Sequence, residues 1–157
     1  MKQFAAALAV ACMFAALPVA AQDNAAAVAE LVALQKAAKA DKRALVAQTL
    51  DLTPAEAKKF WPVYDAYQRD LAQVTRKRTL ALEELVARDR PLTDAYARNI
   101  TNDLVSVEEA EVRAQRKAVS AAMKALPPRK AARYLQLENK LRAVQDYEIA
   151  VAFPLAK

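Results

Sequence analysis

The chain has no glycine. Left-handed turns, tight two-residue strand connections and phosphate-cradling loops therefore lack the residue that forms them without steric penalty. Alanine, leucine, lysine, arginine, glutamate and glutamine dominate instead, and these are the strongest helix formers. The chain is expected to be all-α. It has no internal repeat of roughly 20 to 50 residues, the period that marks a solenoid.

The first residues predict export. Lys2 supplies a positive start, Phe4 to Leu17 is an uninterrupted apolar run, and Val19-Ala20-Ala21 offers the small residues read by a signal peptidase. Residues 1–21 read as a cleavable leader, with Gln22 as the first residue of a periplasmic protein. A retained anchor is the alternative. Lipidation at Cys12 is disfavoured because the apolar run continues through Met13, Phe14 and Leu17. Cys12 is the single cysteine and leaves with the leader, so no disulfide is expected. Loss of Lys2 lowers the formal net charge from +6 to +5. A basic exported protein meets anionic membrane surface, cell-wall polymers or acidic polypeptide rather than nucleic acid.

What remains suits one domain. Residues 22–40 are alanine-rich and read as frayed helix or disordered tail, followed by a helical domain over 41–153. Asp41 is placed to cap a short helix with Leu45, Val46, Thr49 and Leu50 on one side. Thr53-Pro54-Ala55-Glu56 is a capping-box signature that starts a second helix running to about Asp89. Pro91 interrupts, Thr93 caps a third helix from about Asp94 to Leu126, and Pro127-Pro128 opens a fourth that ends before Pro154.

In the second helix Phe60, Tyr64, Tyr67, Leu71, Val74, Arg78, Ala81 and Leu85 alternate steps of four and three. That is a coiled-coil seam broken only by Arg78. The third helix repeats the pattern through Ile100, Leu104, Val107, Glu111, Ala114, Ala118, Ala121 and Ala125, widened by Val105, Val112, Val119 and Leu126. Its alanine half lets another helix approach closely. Tyr134, Leu137, Leu141, Val144 and Val151 form the apolar set of the fourth helix. Each long helix would span roughly 50 Å, and the short link at Pro91 predicts a long antiparallel hairpin. Such a hairpin is too thin to cover Phe60, Tyr64, Tyr67, Leu71, Val74, Leu85, Ile100, Leu104 and Val107 alone, so a homodimer is expected to share the seam.

No catalytic or metal-binding apparatus is visible, and no cofactor is expected. The chain has no histidine, which removes histidine-based triads and the commonest metal ligand. Ser106 and Ser120 lie within a predicted helix, away from the strained turn and neighbouring base that activate a nucleophile. Glu83-Glu84 and Glu108-Glu109-Glu111 read as solvated faces, with Glu84–Arg88 and Glu109–Arg113 at ordinary i,i+4 spacing. Two features rise above this background. Phe60-Trp61-Pro62-Val63-Tyr64 places a proline inside a helix, where it bends the axis, with Trp61 off the seam as an apolar contact. Arg76-Lys77-Arg78, the stripe Arg113, Lys117, Lys124, and Arg129-Lys130 with Arg133 concentrate basic charge. Trp61, Arg76, Lys77, Arg113, Lys117 and Lys124 are accordingly the expected client-binding residues.

This layout resembles the Spy/CpxP family of periplasmic proteins, which share a leader, four helices, a long bent hairpin and two Leu-Thr-x-x-Gln motifs. Leu52-Thr53-Pro54-Ala55-Glu56 is similar to the first motif, with glutamate in place of glutamine. Leu126-Pro127-Pro128-Arg129-Lys130-Ala131-Ala132-Arg133-Tyr134 stands where the second is expected and keeps the leucine and second proline. The resemblance covers about Asp41 to Val151. It implies an ATP-independent chaperone, a dimeric cradle that holds unfolded or misfolded periplasmic proteins. The family's metal-responsive branch uses histidine-rich sites, which this chain lacks. A regulatory or structural module for one envelope partner, such as a stress sensor, is the alternative. A weak contact with anionic membrane surface is a further expected interaction.

Intact mass of the exported form is expected to correspond to a chain beginning at Gln22. Recovery of the full-length chain in the membrane fraction would contradict the leader.

Overall fold

Asp41 is the point at which the chain changes direction, with extended backbone (φ −158°, ψ 95°) inside an otherwise helical segment. The computed structural model describes residues 19–88 and 91–155. Residues 1–18 of the expected leader, with Lys2 and Cys12, and the Asp89-Arg90 pair lie outside them. The described residues form four helices and no strand: α1 (Val19–Leu50), α2 (Pro54–Val86), α3 (Asp94–Ala125) and α4 (Pro128–Ala152).

Each boundary has a local cause. Thr53 Oγ1 accepts from the Glu56 amide at 3.3 Å and Glu56 Oε2 accepts from the Thr53 amide at 2.8 Å, so the capping box forms and Pro54 opens α2. Thr93 accepts from the Tyr96 amide at 3.3 Å and starts α3. Pro127 and Pro128 end one helix and open α4. Pro62 stays within continuous α2, which leaves the Lys58 carbonyl without its helical donor. The turn from α1 to α2 needs a left-handed residue, and with no glycine available Asp51 takes it (φ 47°).

Asp41 divides α1 into two legs. Its Oδ1 accepts from the Ala44 amide at 2.9 Å, which caps the second leg. The first leg includes the residues that the sequence left open between frayed helix and tail. It is helical and lies along α4: Lys140 bonds Glu30, while Gln35 and Lys39 both donate to Glu148. Residue numbers rise together in these pairs. After Asp41 they run in opposite senses, since Lys42 meets Glu138 at 2.8 Å and Lys130 donates to the Asp51 carbonyl.

The other helices are placed by similar pairs. Gln68 bonds Glu138 and Arg78 bonds Asp146, so α2 follows α4 in the same sense. Gln115 bonds Asn139 and Arg142 pairs with Glu111, so α3 runs against α4. Lys117 with Asp70, Arg78 with Glu111 and Tyr96 with Glu84 run α3 against α2.

The core lies where the second leg of α1 meets the other three helices. It combines Val46 and Leu50 with Phe60, Tyr64, Tyr67, Tyr134 and Leu137, against the small side chains Ala114, Ala118 and Ala122 of α3. Tyr134 is central: its ring stands 5.0 Å from Phe60 and 6.5 Å from Tyr67, edge-on to both. Complete burial of a side chain such as Phe60 is worth about 2–3 kcal/mol, with about 0.5–1.5 kcal/mol more for each well-set aromatic pair.

Of the seam residues, Phe60, Tyr64, Tyr67, Val74, Ile100 and Val107 are buried and Leu71, Leu85 and Leu104 half-buried within the single chain. Packing within the chain thus covers six of these nine positions and leaves three partly exposed. The two polar interruptions of the seams, Arg78 and Glu111, meet each other. Glu111 is only 7% exposed, which corrects its reading as part of a solvated face. Glu84 accepts from the Tyr96 hydroxyl, while Arg88 lies 3.7 Å over the Tyr96 ring.

Burial pushes Tyr64 and Tyr67 up to about 12, and Tyr134 higher still, beside the buried Glu138 carboxylate. The folded state holds these protons more tightly than the unfolded chain. The associated stability is fully present below the ordinary tyrosine value of about 10 and is lost as pH rises through about 12. The Tyr134 hydroxyl makes no hydrogen bond of sound geometry. Tyr134→Phe is therefore expected to change neutral-pH stability by no more than about 1 kcal/mol and to reduce the alkaline loss. Phe60→Ala should cost about 3–5 kcal/mol. Urea unfolding at neutral and alkaline pH checks both, and an unchanged alkaline loss in Tyr134→Phe would contradict the assignment.

Candidate functional site

Two helices packed side by side leave a trough on each side of their contact. Between α2 and α3, one trough is filled by α4, through Thr75, Arg78, Glu111 and Gln115. The other is open. At one end Pro62, Val63 and Ala66 of α2 face Ala114, Ala118 and Ala121 of α3 around a hollow of about 260 Å³. It continues into a second hollow of about 410 Å³ lined by Gln73, Val74 and Lys77 against Ser106, Ala110 and Arg113. Asp70, Ala114 and Lys117 line both. Alanines form the floor on the α3 side because residues spaced by three and four share a helix face, and none extends beyond Cβ.

The rim is cationic. The Lys117 side chain is 72% exposed and reaches Asp70 at 3.0 Å. Arg113 pairs with Glu109 at 3.2 Å, both largely exposed. Among the described residues Lys77 makes no ion pair. Exposed pairs of this kind are worth at most about 1 kcal/mol, so these cations stay available to an incoming anion. Lys77, Arg113 and Lys117 thus converge on one groove. Exposed Lys124 continues the α3 line three residues beyond Ala121. Arg76 is exposed beside Lys77 but does not line the groove.

Trp61 stands apart from this group. It is half-buried, with the Arg43 guanidinium 4.2 Å over its ring and Tyr64 edge-on at 5.4 Å. Arg43 is itself held by Asp65 at 2.6 Å. The indole therefore joins α2 to the second leg of α1, while Pro62, one step around the helix, lines the open groove. The apolar part of the site comes from Pro62, Val63, Ala66 and the α3 alanines, which the sequence marked only as a close-packing face.

The remaining basic residues divide. Arg78 is turned inward between Glu111 and Asp146. It borders a mixed-charge groove of about 540 Å³ with Leu82, Val112, Ile149 and Phe153. Lys130 is tied to Glu56 at 2.7 Å and to the Asp51 carbonyl, while Arg129 and Arg133 are exposed. The Lys130 hydrogen bond, helped by the Thr53 amide, holds the Glu56 carboxyl below the usual carboxylate range. Among the described residues no three Asp, Glu, His or Cys side chains converge as metal ligands, and no helix is long and apolar enough to cross a membrane.

Glu111→Ala removes the buried carboxylate shared by Arg78 and Arg142 and leaves Arg78 with Asp146 alone, so it is expected to cost about 2 kcal/mol. Arg113→Glu on the open rim should stay within about 0.5 kcal/mol. Urea unfolding followed by fluorescence of Trp61, the single tryptophan, measures both. Equal losses would contradict the division into buried and rim charges.

Comparison with family models, curated proteins and solved structures finds no match to this chain.

Proposed function

We propose that this is an exported, non-enzymatic, ATP-independent chaperone-like protein that holds unfolded or partly folded envelope proteins in the open α2–α3 groove. One observation carries the reading: an apolar alanine floor and a rim of Lys77, Arg113 and Lys117 occur in the same unfilled trough. Long-range attraction to the rim raises the encounter rate of acidic or partly unfolded chains, and apolar contact with the floor then slows their release. The periplasmic location follows from the leader, and the chaperone role agrees with the Spy/CpxP resemblance. In this proposal α2 and α3 form the bent hairpin of a cradle. A second copy would join through apolar positions left outside the core, such as Leu80, Val105, Tyr147 and Val151, rather than through the buried seam.

The test is suppression of aggregation of a chemically unfolded client by the purified exported form, without nucleotide. Suppression is expected at low salt, with association slowing as salt rises. Lys77→Glu with Arg113→Glu and Lys117→Glu should lower the association rate about ten-fold while leaving circular dichroism unchanged. Trp61→Ala, which removes a contact between α1 and α2, should act on stability and not on the association rate. If wild type leaves aggregation unchanged at several-fold excess, the single-partner module becomes the better account.

A further inference from the structure

We infer that the occupant of the open groove is an acidic amphipathic helix of a client protein, lying along α2 and α3 as a further helix of the bundle. This rests on the chaperone reading and specifies the conformation of what is held. Apart from the Lys58 carbonyl freed by Pro62, the backbone N–H and C=O groups along the groove are consumed within α2 and α3, so it offers an extended chain at most one backbone partner. An extended segment buried there would leave its own amides unpaired, whereas a helix satisfies its own. The molecule already contains the required geometry: α4 lies in the opposite trough of the same helix pair, anchored through Gln115–Asn139 and Arg78–Asp146.

Shape and charge narrow the occupant. Ala110, Ala114, Ala118 and Ala121 leave the floor low enough for the close approach of about 8–10 Å between axes that small side chains permit. The lined stretch of α3 from Ser106 to Ala121 is about 22 Å long, which matches about four helical turns. Lys77, Arg113 and Lys117 border it against one lining carboxylate, Asp70, which leaves the groove with an excess of positive charge. A complementary helix presents small and medium apolar residues at i, i+3, i+4 and i+7, with Asp or Glu along both borders.

The probe is a fluorescein-labelled synthetic peptide of about four turns with an Ala/Leu face and glutamate borders. One control has the same composition shuffled to destroy the helical face, and a second has lysine for glutamate. Fluorescence anisotropy with the full exported chain at low salt should give at least about ten-fold tighter binding of the helical acidic peptide than of either control. Ala110→Leu with Ala121→Leu should weaken that peptide about ten-fold, with Trp61 fluorescence and circular dichroism unchanged. Should these half-buried substitutions perturb the fold, Lys77→Glu with Arg113→Glu provides the same test from the exposed rim. Equal binding of the shuffled peptide, or no effect of either variant pair, would overturn the inference. So would light scattering that finds a dimer of the wild type converted to monomer by the groove-filling pair, because a second copy would then be the occupant. Aggregation suppression that persists while the peptide fails sinks the helical occupant alone. Loss of both sinks the chaperone reading as well.

Discussion

Tyr134 stands edge-on to Phe60 and Tyr67, and the arrangement of the four helices follows from that contact. The rings bridge α2 and α4 across a wide gap, and Val46 and Leu50 complete the layer from the second leg of α1. On the α3 side the same layer meets Ala114, Ala118 and Ala122, which allow close packing against α2. Large side chains on two helices are thus complemented by small ones on the third, as dense interiors require. Two of these alanines, Ala114 and Ala118, also line the trough on the far side of the same helix pair. One choice of side-chain volume therefore produces both the core and the open groove.

Charged groups set the register along the bundle. Arg78 between Glu111 and Asp146, with Arg142 beside Glu111, ties α2, α3 and α4 together at one level. Lys42 and Gln68 converge on buried Glu138 and tie α1, α2 and α4 at another. Desolvation offsets much of the Coulomb gain of such groups. Their geometric demands nevertheless disfavour a bundle slipped by one turn, which would strand a buried charge. This polar framework also sorts the basic residues, since the inward ones are neutralised while Lys77, Arg113, Lys117 and Lys124 remain on the outer side.

The resulting surface separates two features that lie close together in sequence. Trp61 is absorbed into the packing of α2 on α1 under Arg43, and Pro62 faces the groove. Client holding in the proposed function thus draws on a shallow floor of small groups and not on an aromatic anchor. In that proposal electrostatic attraction carries a large share of encounter and selection.

The helical class, the Thr53 capping box and the helix starts at Asp41, Thr93 and Pro128 were legible in the sequence, because capping and proline effects act within a few residues. The seam residues were legible too, since helical periodicity places them on one face whatever covers that face. The Arg113, Lys117, Lys124 stripe was visible for the same reason. What covers the seam was not legible, because α4 and the second leg of α1 reach it through contacts between residues far apart in the chain. Only the tertiary structure decided that Arg78 and Glu111 pair inside, that residues 22–40 form helix folded back on α4, and that the basic stripe borders alanines rather than Trp61. These outcomes depend on which faces meet across the bundle. Helical periodicity defines a face and is silent on its partner.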